Sequence, residues 1–182
     1  MKSLFKAPPL AILSAALLFQ VPAVAQGGAN LNARNVESQL FDVRRATAHF
    51  NDVFAAMAAD YHPFADTSGI YCIANPPHGA MGIHYVNGNL FSLPLDPTTP
   101  HALVYEPTAD GKVRLAGVEY IVFQEPWDQA NKQRPKLFGQ HFHHVPAGNR
   151  YGIPAFYALH VWLWDANPNG IFADWNPWVR CP

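Results

Sequence analysis

The feature that most constrains the fold is the alternation, after Pro63, of short extended segments with glycine and proline residues. Apolar, β-branched and aromatic segments bounded by turn residues are typical of β-strands. The clearest signal is a hairpin in which residues 102–106 and 112–123 flank the Asp-Gly turn at 109–111. Residues 155–164 are almost continuously apolar, which predicts a central strand. The pattern therefore predicts a β-rich region over residues 70–164.

A helix is predicted before this region, over about residues 34–59. Its apolar residues recur at three- and four-residue steps with charged residues between them, which is typical of an amphipathic helix. The predicted stripe consists of Val36, Leu40, Val43, Phe50, Phe54 and Met57. The fold class is therefore α+β, an N-terminal amphipathic helix packed on an antiparallel β-sheet or small β-barrel. Residues 165–182 form a loop-rich tail with two turn signals.

The first 25 residues have the pattern of a signal peptide. Lys2 and Lys6 precede the apolar residues 10–19, and the small residues at 23–25 form a cleavage site after Ala25. The apolar run is too short to span a bilayer, and no later segment approaches the roughly 20 apolar residues that a transmembrane helix needs. We expect a single globular domain over residues 26–182, periplasmic or secreted, with no transmembrane segment.

The charge and the cysteine content of the chain indicate which partners are excluded and in which compartment the protein is found. The chain has 12 Lys and Arg against 13 Asp and Glu, without a block of either sign, so nucleic acid and anionic membrane surfaces are not expected as partners. Its two cysteines, Cys72 and Cys181, are expected to form a disulfide in an exported protein. That bridge closes a loop of about 110 residues and fastens the C-terminus. The chain-entropy model predicts that it stabilises the folded protein by roughly 4 to 5 kcal/mol.

Glu119 is the residue that a purely structural role explains least well. The period-2 rule places it on the same strand face as Leu115 and Ile121, and the other face carries Val118 and Tyr120, so both faces are predicted to be buried. An ionised carboxylate in such a place is costly unless it is paired, protonated or bound to a cation. An ion pair or a hydrogen bond to an aromatic side chain is the simpler explanation, and a functional carboxylate is the other.

Two histidines pose the same question on other predicted strands. His160 lies among apolar residues with Trp162 and Trp164 on its face, and His84 interrupts a short apolar strand at 82–86. Imidazole, imidazole and carboxylate together suit a divalent transition metal such as Zn, Fe, Mn, Ni or Cu. His143, which shares a predicted strand face with His141, is a possible fourth ligand, although an exposed histidine run explains this segment equally well.

Other chemistries lack their motifs. No HExxH, CxxC, P-loop, dinucleotide fingerprint or Gly-x-Ser-x-Gly elbow occurs in the sequence, and a thiol nucleophile is disfavoured if both cysteines are oxidised. Tyr120, Trp162 and Trp164 could line a pocket for a small organic ligand, with Glu119 and His160 as a buried hydrogen-bonded pair. Filling the core is the plainer role for these aromatic residues.

Several strings of the β-rich region and tail resemble a family of uncharacterised exported bacterial proteins. They are GIHYVN at residues 82–87, VEY at 118–120, LHVWLW at 159–164, NPNG at 167–170 and WNP at 175–177. The resemblance implies an exported bacterial protein with one domain, and it carries no activity.

Three hypotheses remain from the sequence. The first is an exported metal-binding protein or metalloenzyme with His84, Glu119 and His160 as ligands and His143 as a possible fourth. The second is a non-catalytic module that binds a small molecule, and the third is an envelope-associated protein without a site. Convergence of His84, Glu119 and His160 in one cavity is expected under the first two, because buried polar groups need partners.

Overall fold

The computed structural model describes the backbone of residues 27–182 and the side chains from residue 35 onward. The predicted signal peptide and its cleavage site lie outside these residues. Among the described helices, none combines the length and apolar character needed to cross a membrane.

Short strands dominate the described part of the chain. The helices are α1 (Gly27–Thr47), α2 (Val53–Ala58) and α3 (Gln124–Ala130), with 3₁₀ turns at Ala48–Asn51 and Gly88–Ser92. The strands are β1 (His62–Pro63), β2 (Cys72–Asn75), β3 (Gly79–Val86), β4 (Ala102–Pro107), β5 (Val113–Phe123), β6 (Lys136–Leu137), β7 (Gln140–His141), β8 (His143–Val145) and β9 (Phe156–Val161).

Seven strands form one antiparallel sheet in the order β1-β3-β4-β5-β9-β8, with β2 pairing beside β1 on the same edge of β3. The strands β6 and β7 form a separate pair. Because β1, β2 and β8 end the sheet at opposite edges, the sheet is open. The α+β class with an antiparallel sheet is confirmed, and the alternative of a small closed β-barrel is wrong.

The helices cover one face of the sheet. Val43 of α1 and Ala56 of α2 are fully buried in a core that also contains Leu103, Tyr105 and Tyr120 from the sheet. Burying a side chain such as that of Val43 or Leu103 stabilises the fold by roughly 1.5 to 3 kcal/mol. The packing of an N-terminal amphipathic helix against the sheet is therefore as predicted.

The helical region differs from the prediction in where it begins and in being interrupted. It starts at Gly27 and is interrupted by the 3₁₀ turn, after which Asp52 caps α2 by accepting a hydrogen bond from the Phe54 N–H (3.0 Å). A 3₁₀ turn has three residues per turn, so the apolar stripe shifts after the break. Phe54 and Met57, predicted to face the core, are consequently 76% and 42% exposed.

A bulge in β5 changes which residues share a face. Val104 pairs with Gly117 but Tyr105 pairs with Leu115, so Ala116 has no partner on β4. The carbonyl of Ala116 instead accepts the N–H groups of residues 164 and 165 at 3.0 and 3.1 Å. Leu115 therefore packs on the helix side, whereas Glu119 lies on the opposite face. The strict alternation that put these two residues together is wrong.

The face opposite the helices is covered by the loop before β9 and by the C-terminal tail. The predicted disulfide is confirmed: Cys72 and Cys181 are bonded, with Cα atoms 5.6 Å apart. Ala80 and Asn176 exchange two backbone hydrogen bonds of 3.0 Å, which attach the tail to β3. The loop-rich tail is thus a fixed layer over this face of the sheet.

Candidate metal centre

Three neighbouring parts of the sheet bring polar side chains to the face opposite the helices. Glu119 of β5 pairs directly with His160 of β9 on one side and with Ala102 of β4 on the other. His84 lies one strand further, on β3, opposite Val104. Since Ala102 is small, little side-chain volume separates His84 from Glu119 across β4.

The side chains of His84, Glu119 and His160 converge in the interior. The Nε2 atoms of the two histidines are 3.1 Å apart, and Glu119 Oε2 lies 3.5 Å from His84 Nε2. Glu119 Oε1 lies 3.7 Å from His160 Nδ1. One ligand atom from each residue falls within 4.8 Å of the others, and the residues are only 3% to 6% exposed. They lie close enough together to hold one metal ion.

Burial and mutual charge shift the pKa values of the group in opposite directions. Burial, together with smaller effects of the nearby His160 and Arg150, lowers the pKa of His84 to about 3. Burial raises the pKa of Glu119; Asp174 adds to this increase and His160 opposes it. Burial alone would lower the pKa of His160, but the carboxylates of Glu119 and Asp174 outweigh it and raise that pKa.

The polar atoms of this group are poorly satisfied by the protein. No hydrogen bond to the Glu119 carboxylate comes from any described residue. Its contacts with the two imidazoles are 3.5 and 3.7 Å long, which is too long for a good hydrogen bond. The Nδ1 atoms of His84 and His160 are also buried without a hydrogen-bond partner. Buried polar groups normally have partners, and the three residues lie close enough together for a cation to be one.

His143 lies outside the group of three residues whose ligand atoms come within 4.8 Å of one another. Its Nδ1 lies 2.8 Å from Asp174 Oδ2, and the other oxygen of Asp174 lies 3.7 Å from His160 Nδ1. His143 therefore reaches the site only through Asp174. His141 and His144 are exposed, and His144 contacts Gln124 (2.9 Å).

Asp174 is the functional candidate that the sequence reasoning missed as a partner of the histidines. It lies in the tail between apolar residues, where no periodic pattern marks its direction. Burial would raise its pKa, but the neighbouring His160 and His143 lower it. Asp174 is therefore a carboxylate held in its charged form at the edge of the group.

The aromatic residues predicted to line one ligand pocket do not lie together. Tyr120 packs on the helix side, where its hydroxyl donates to the Pro97 carbonyl (2.5 Å). Trp164 lies beneath the Arg44 guanidinium, 4.7 Å from it. Trp162 alone is near the site, its ring stacked on His160 at 6.2 Å.

Two cavities border the group instead. The first, of about 330 Å³, is lined by His84, Glu119 and a mostly apolar wall. The second, of about 280 Å³, is lined by more polar residues, including His143, His160 and Asp174. Glu119 lines both cavities, as does Tyr151 from the covering loop. An ion held by the three residues would therefore border both spaces.

Comparison with known proteins adds no assignment. No family model, curated protein or solved structure matches the chain. The site alone therefore indicates a function, and the resemblance to exported bacterial proteins stays a prediction.

Proposed function

We propose that the protein is an exported metal-binding protein that holds one divalent transition-metal ion through His84, Glu119 and His160. Two imidazoles and one carboxylate suit zinc, iron, manganese, nickel or copper, whereas calcium and magnesium prefer sites built from oxygen donors. Three protein donors leave positions for water or a substrate, as in catalytic rather than structural metal sites. In that case the ion would act as a Lewis acid or oxygen activator.

The observation that carries the proposal is the buried Glu119 carboxylate, which has two buried imidazoles 3.5 and 3.7 Å away and no hydrogen bond from the described residues. Two donors at about 2.1 Å from one ion lie roughly 3.0 to 3.4 Å apart, for bond angles between about 90° and 109°. The spacings of 3.1 Å between the imidazoles and 3.5 Å from His84 to Glu119 are close to this range. A cation would also compensate the buried negative charge.

One alternative has its own supporting observation. The 3.1 Å contact between His84 and His160 is also a hydrogen-bond length, with one Nε2 donating to the other. In a metal-free protein that binds a small molecule, this contact would take the place of the expected Glu119–His160 hydrogen bond, since those two side chains are 3.7 Å apart. Metal content distinguishes the two.

The export part of the proposal is supported by the disulfide. Such bonds form and persist in oxidising compartments, which agrees with the predicted removal of residues 1–25. Mass spectrometry of protein recovered from the periplasm of a bacterial host should give a mature chain that starts at Gln26 or its cyclised form.

The test of the metal site is elemental analysis of the same purified protein. We expect about one transition-metal ion per chain, lost on chelation and regained on adding zinc or cobalt, with a higher thermal midpoint in the loaded form. The Glu119→Gln variant should lose the ion, while Glu106→Gln, which alters a carboxylate paired with Arg114 outside the site, should keep it. Wild-type protein that binds neither metal after chelation would overturn the proposal and favour the hydrogen-bonded alternative.

A further inference from the structure

The cavity of about 330 Å³ beside His84 and Glu119 is not explained by metal binding alone. Its wall is formed by aromatic and aliphatic side chains from β3, β5, β9, the 3₁₀ turn at Gly88–Ser92, the residue after β1 and the covering loop, among them Phe64, Phe91, Ile121, Phe123, Tyr151 and Phe156. The cavity lies at the small end of the range for pockets that bind small molecules.

Polarity divides the cavity into two parts. His84 and Glu119 are the buried polar residues of its wall, and both belong to the proposed metal site. The remaining buried wall is apolar, which would hold the body of a ligand by removing apolar surface from water. The ligand should therefore have an apolar body and one polar group.

Charge indicates the nature of that polar group. A divalent ion beside the Glu119 carboxylate and two neutral imidazoles presents one net positive charge to this cavity, since the second carboxylate, Asp174, lines the other cavity. Arg150 adds positive potential near His84, although its guanidinium is paired with Asp66 at 2.8 Å. An anionic oxygen is also a good ligand for an open position on such an ion.

We propose that the cavity binds a small aromatic molecule with one anionic oxygen group, a carboxylate or phenolate, directed at the metal. This inference depends on the proposed metal site. The aromatic rings of Phe64, Phe91 and Phe156 favour an aromatic body because rings pack well in offset or edge-to-face contact. The size of the cavity restricts the molecule to about one ring with short substituents.

Cobalt-loaded protein gives a direct test, because the visible spectrum of cobalt changes when an anion binds to it. Benzoate has both an aromatic ring and a carboxylate, acetate has only the carboxylate, and toluene has only the ring. We expect benzoate to change the spectrum with an affinity at least about tenfold higher than acetate, from the burial of the ring. Toluene should leave the spectrum unchanged and compete with benzoate.

A variant at the cavity wall separates the cavity from the metal. Gly88 lines the cavity, and a side chain there would start in open space, so Gly88→Phe should obstruct the ligand without disturbing the core. It should weaken benzoate binding at least about tenfold and leave cobalt content and acetate binding unchanged. Ser92→Phe, at the other end of the same 3₁₀ turn and outside the cavity wall, is the matched control.

The outcomes distinguish the two proposals. If the cobalt-loaded protein binds benzoate no more tightly than acetate, the ligand proposal is wrong and the metal site stands. The same conclusion follows if Gly88→Phe leaves the affinity for benzoate unchanged. Failure to bind cobalt or zinc overturns both proposals together.

Discussion

The Nε2 atoms of His84 and His160 lie 3.1 Å apart, although 76 positions separate the two residues in the chain and two strands separate them in the sheet. Neighbouring strands are about 4.8 Å apart, so the backbones of β3 and β9 are separated by roughly 14 Å. The two imidazoles meet only because both extend across the face towards each other. The contact therefore depends on small side chains beneath it.

The first prediction concerns this space. Ala102 shares the face with Glu119 and is fully buried between the strands that carry the two histidines. In Ala102→Leu the larger side chain should push the ligands apart, at a cost of about 1 to 3 kcal/mol in folding and with at least tenfold weaker zinc binding. Competition with a chromophoric chelator measures the affinity.

Ala56→Leu is the control for this variant, because Ala56 is equally buried but lies in the core on the helix side of the sheet. It should cost similar stability and change zinc affinity much less. Equal losses of affinity in both variants would mean that general loosening, not the space over β4, determines binding.

The second prediction concerns Asp174. His160 turns Nε2 towards His84 and Nδ1 towards Asp174 Oδ1, 3.7 Å away. Carboxylates in this position orient a metal-bound imidazole, and their loss typically weakens metal binding 10- to 100-fold. We expect Asp174→Asn to bind one zinc ion with an affinity about tenfold lower, measured by the same chelator competition.

Asp110→Asn, in the exposed turn between β4 and β5, is the charge-matched control and should bind zinc as the wild type does. If Asp174→Asn also retained wild-type affinity, Asp174 would be no positioning residue and would serve only to hold His143.

These residues show how far sequence reasoning extends. Glu119, His84 and His160 could be found because each is a polar residue in an apolar strand, which is a local signal. Asp174 could not be found in this way, because its direction is set by the bonds that attach the tail to Ala80. Long-range contacts of this kind leave no periodic pattern in the sequence.

The same distinction applies to the fold. The Asp-Gly hairpin and the apolar run in β9 are local patterns, and both were predicted within a few residues. The bulge at Ala116 depends on hydrogen bonds from a segment about fifty residues away, so strict alternation placed Leu115 with Glu119. The helix is interrupted before Asp52, which is the N-cap of α2. The apolar residues continue at helical spacing across this position, so the sequence pattern predicted one unbroken helix.

The third prediction concerns the disulfide. Cys72 and Cys181 are 109 positions apart, and the chain-entropy model gives such a bridge about 4 to 5 kcal/mol. Replacing both cysteines by serine should lower the free energy of unfolding by about this amount in chemical denaturation. Reduction of the wild-type protein should produce the same loss, and reduction of the double variant should produce none. A wild-type protein indifferent to reduction would show that the tail is held by its other contacts.

The last prediction concerns a buried histidine outside the proposed ligands. His101 is 4% exposed, its Nδ1 accepts the Ile121 N–H (3.2 Å), and Phe91 stacks on its ring. Burial lowers its pKa to about 4, whereas in the unfolded chain it titrates near 6.5. Between these values the unfolded state binds a proton that the folded state excludes. The stability conferred by neutral His101 is therefore present above about pH 6.5 and is lost as the pH falls towards 4, by at most about 3 kcal/mol.

His101→Asn keeps an acceptor for the Ile121 N–H but removes the titration. The free energy of unfolding, measured in urea on metal-free protein between pH 4 and 7, should therefore fall less steeply with acid in this variant than in the wild type. The titrations of His84 and His160 are common to both proteins, so the difference in slope belongs to His101. Parallel curves would mean that His101 becomes protonated in the folded protein as readily as in the unfolded chain, and that its burial costs the charged form little.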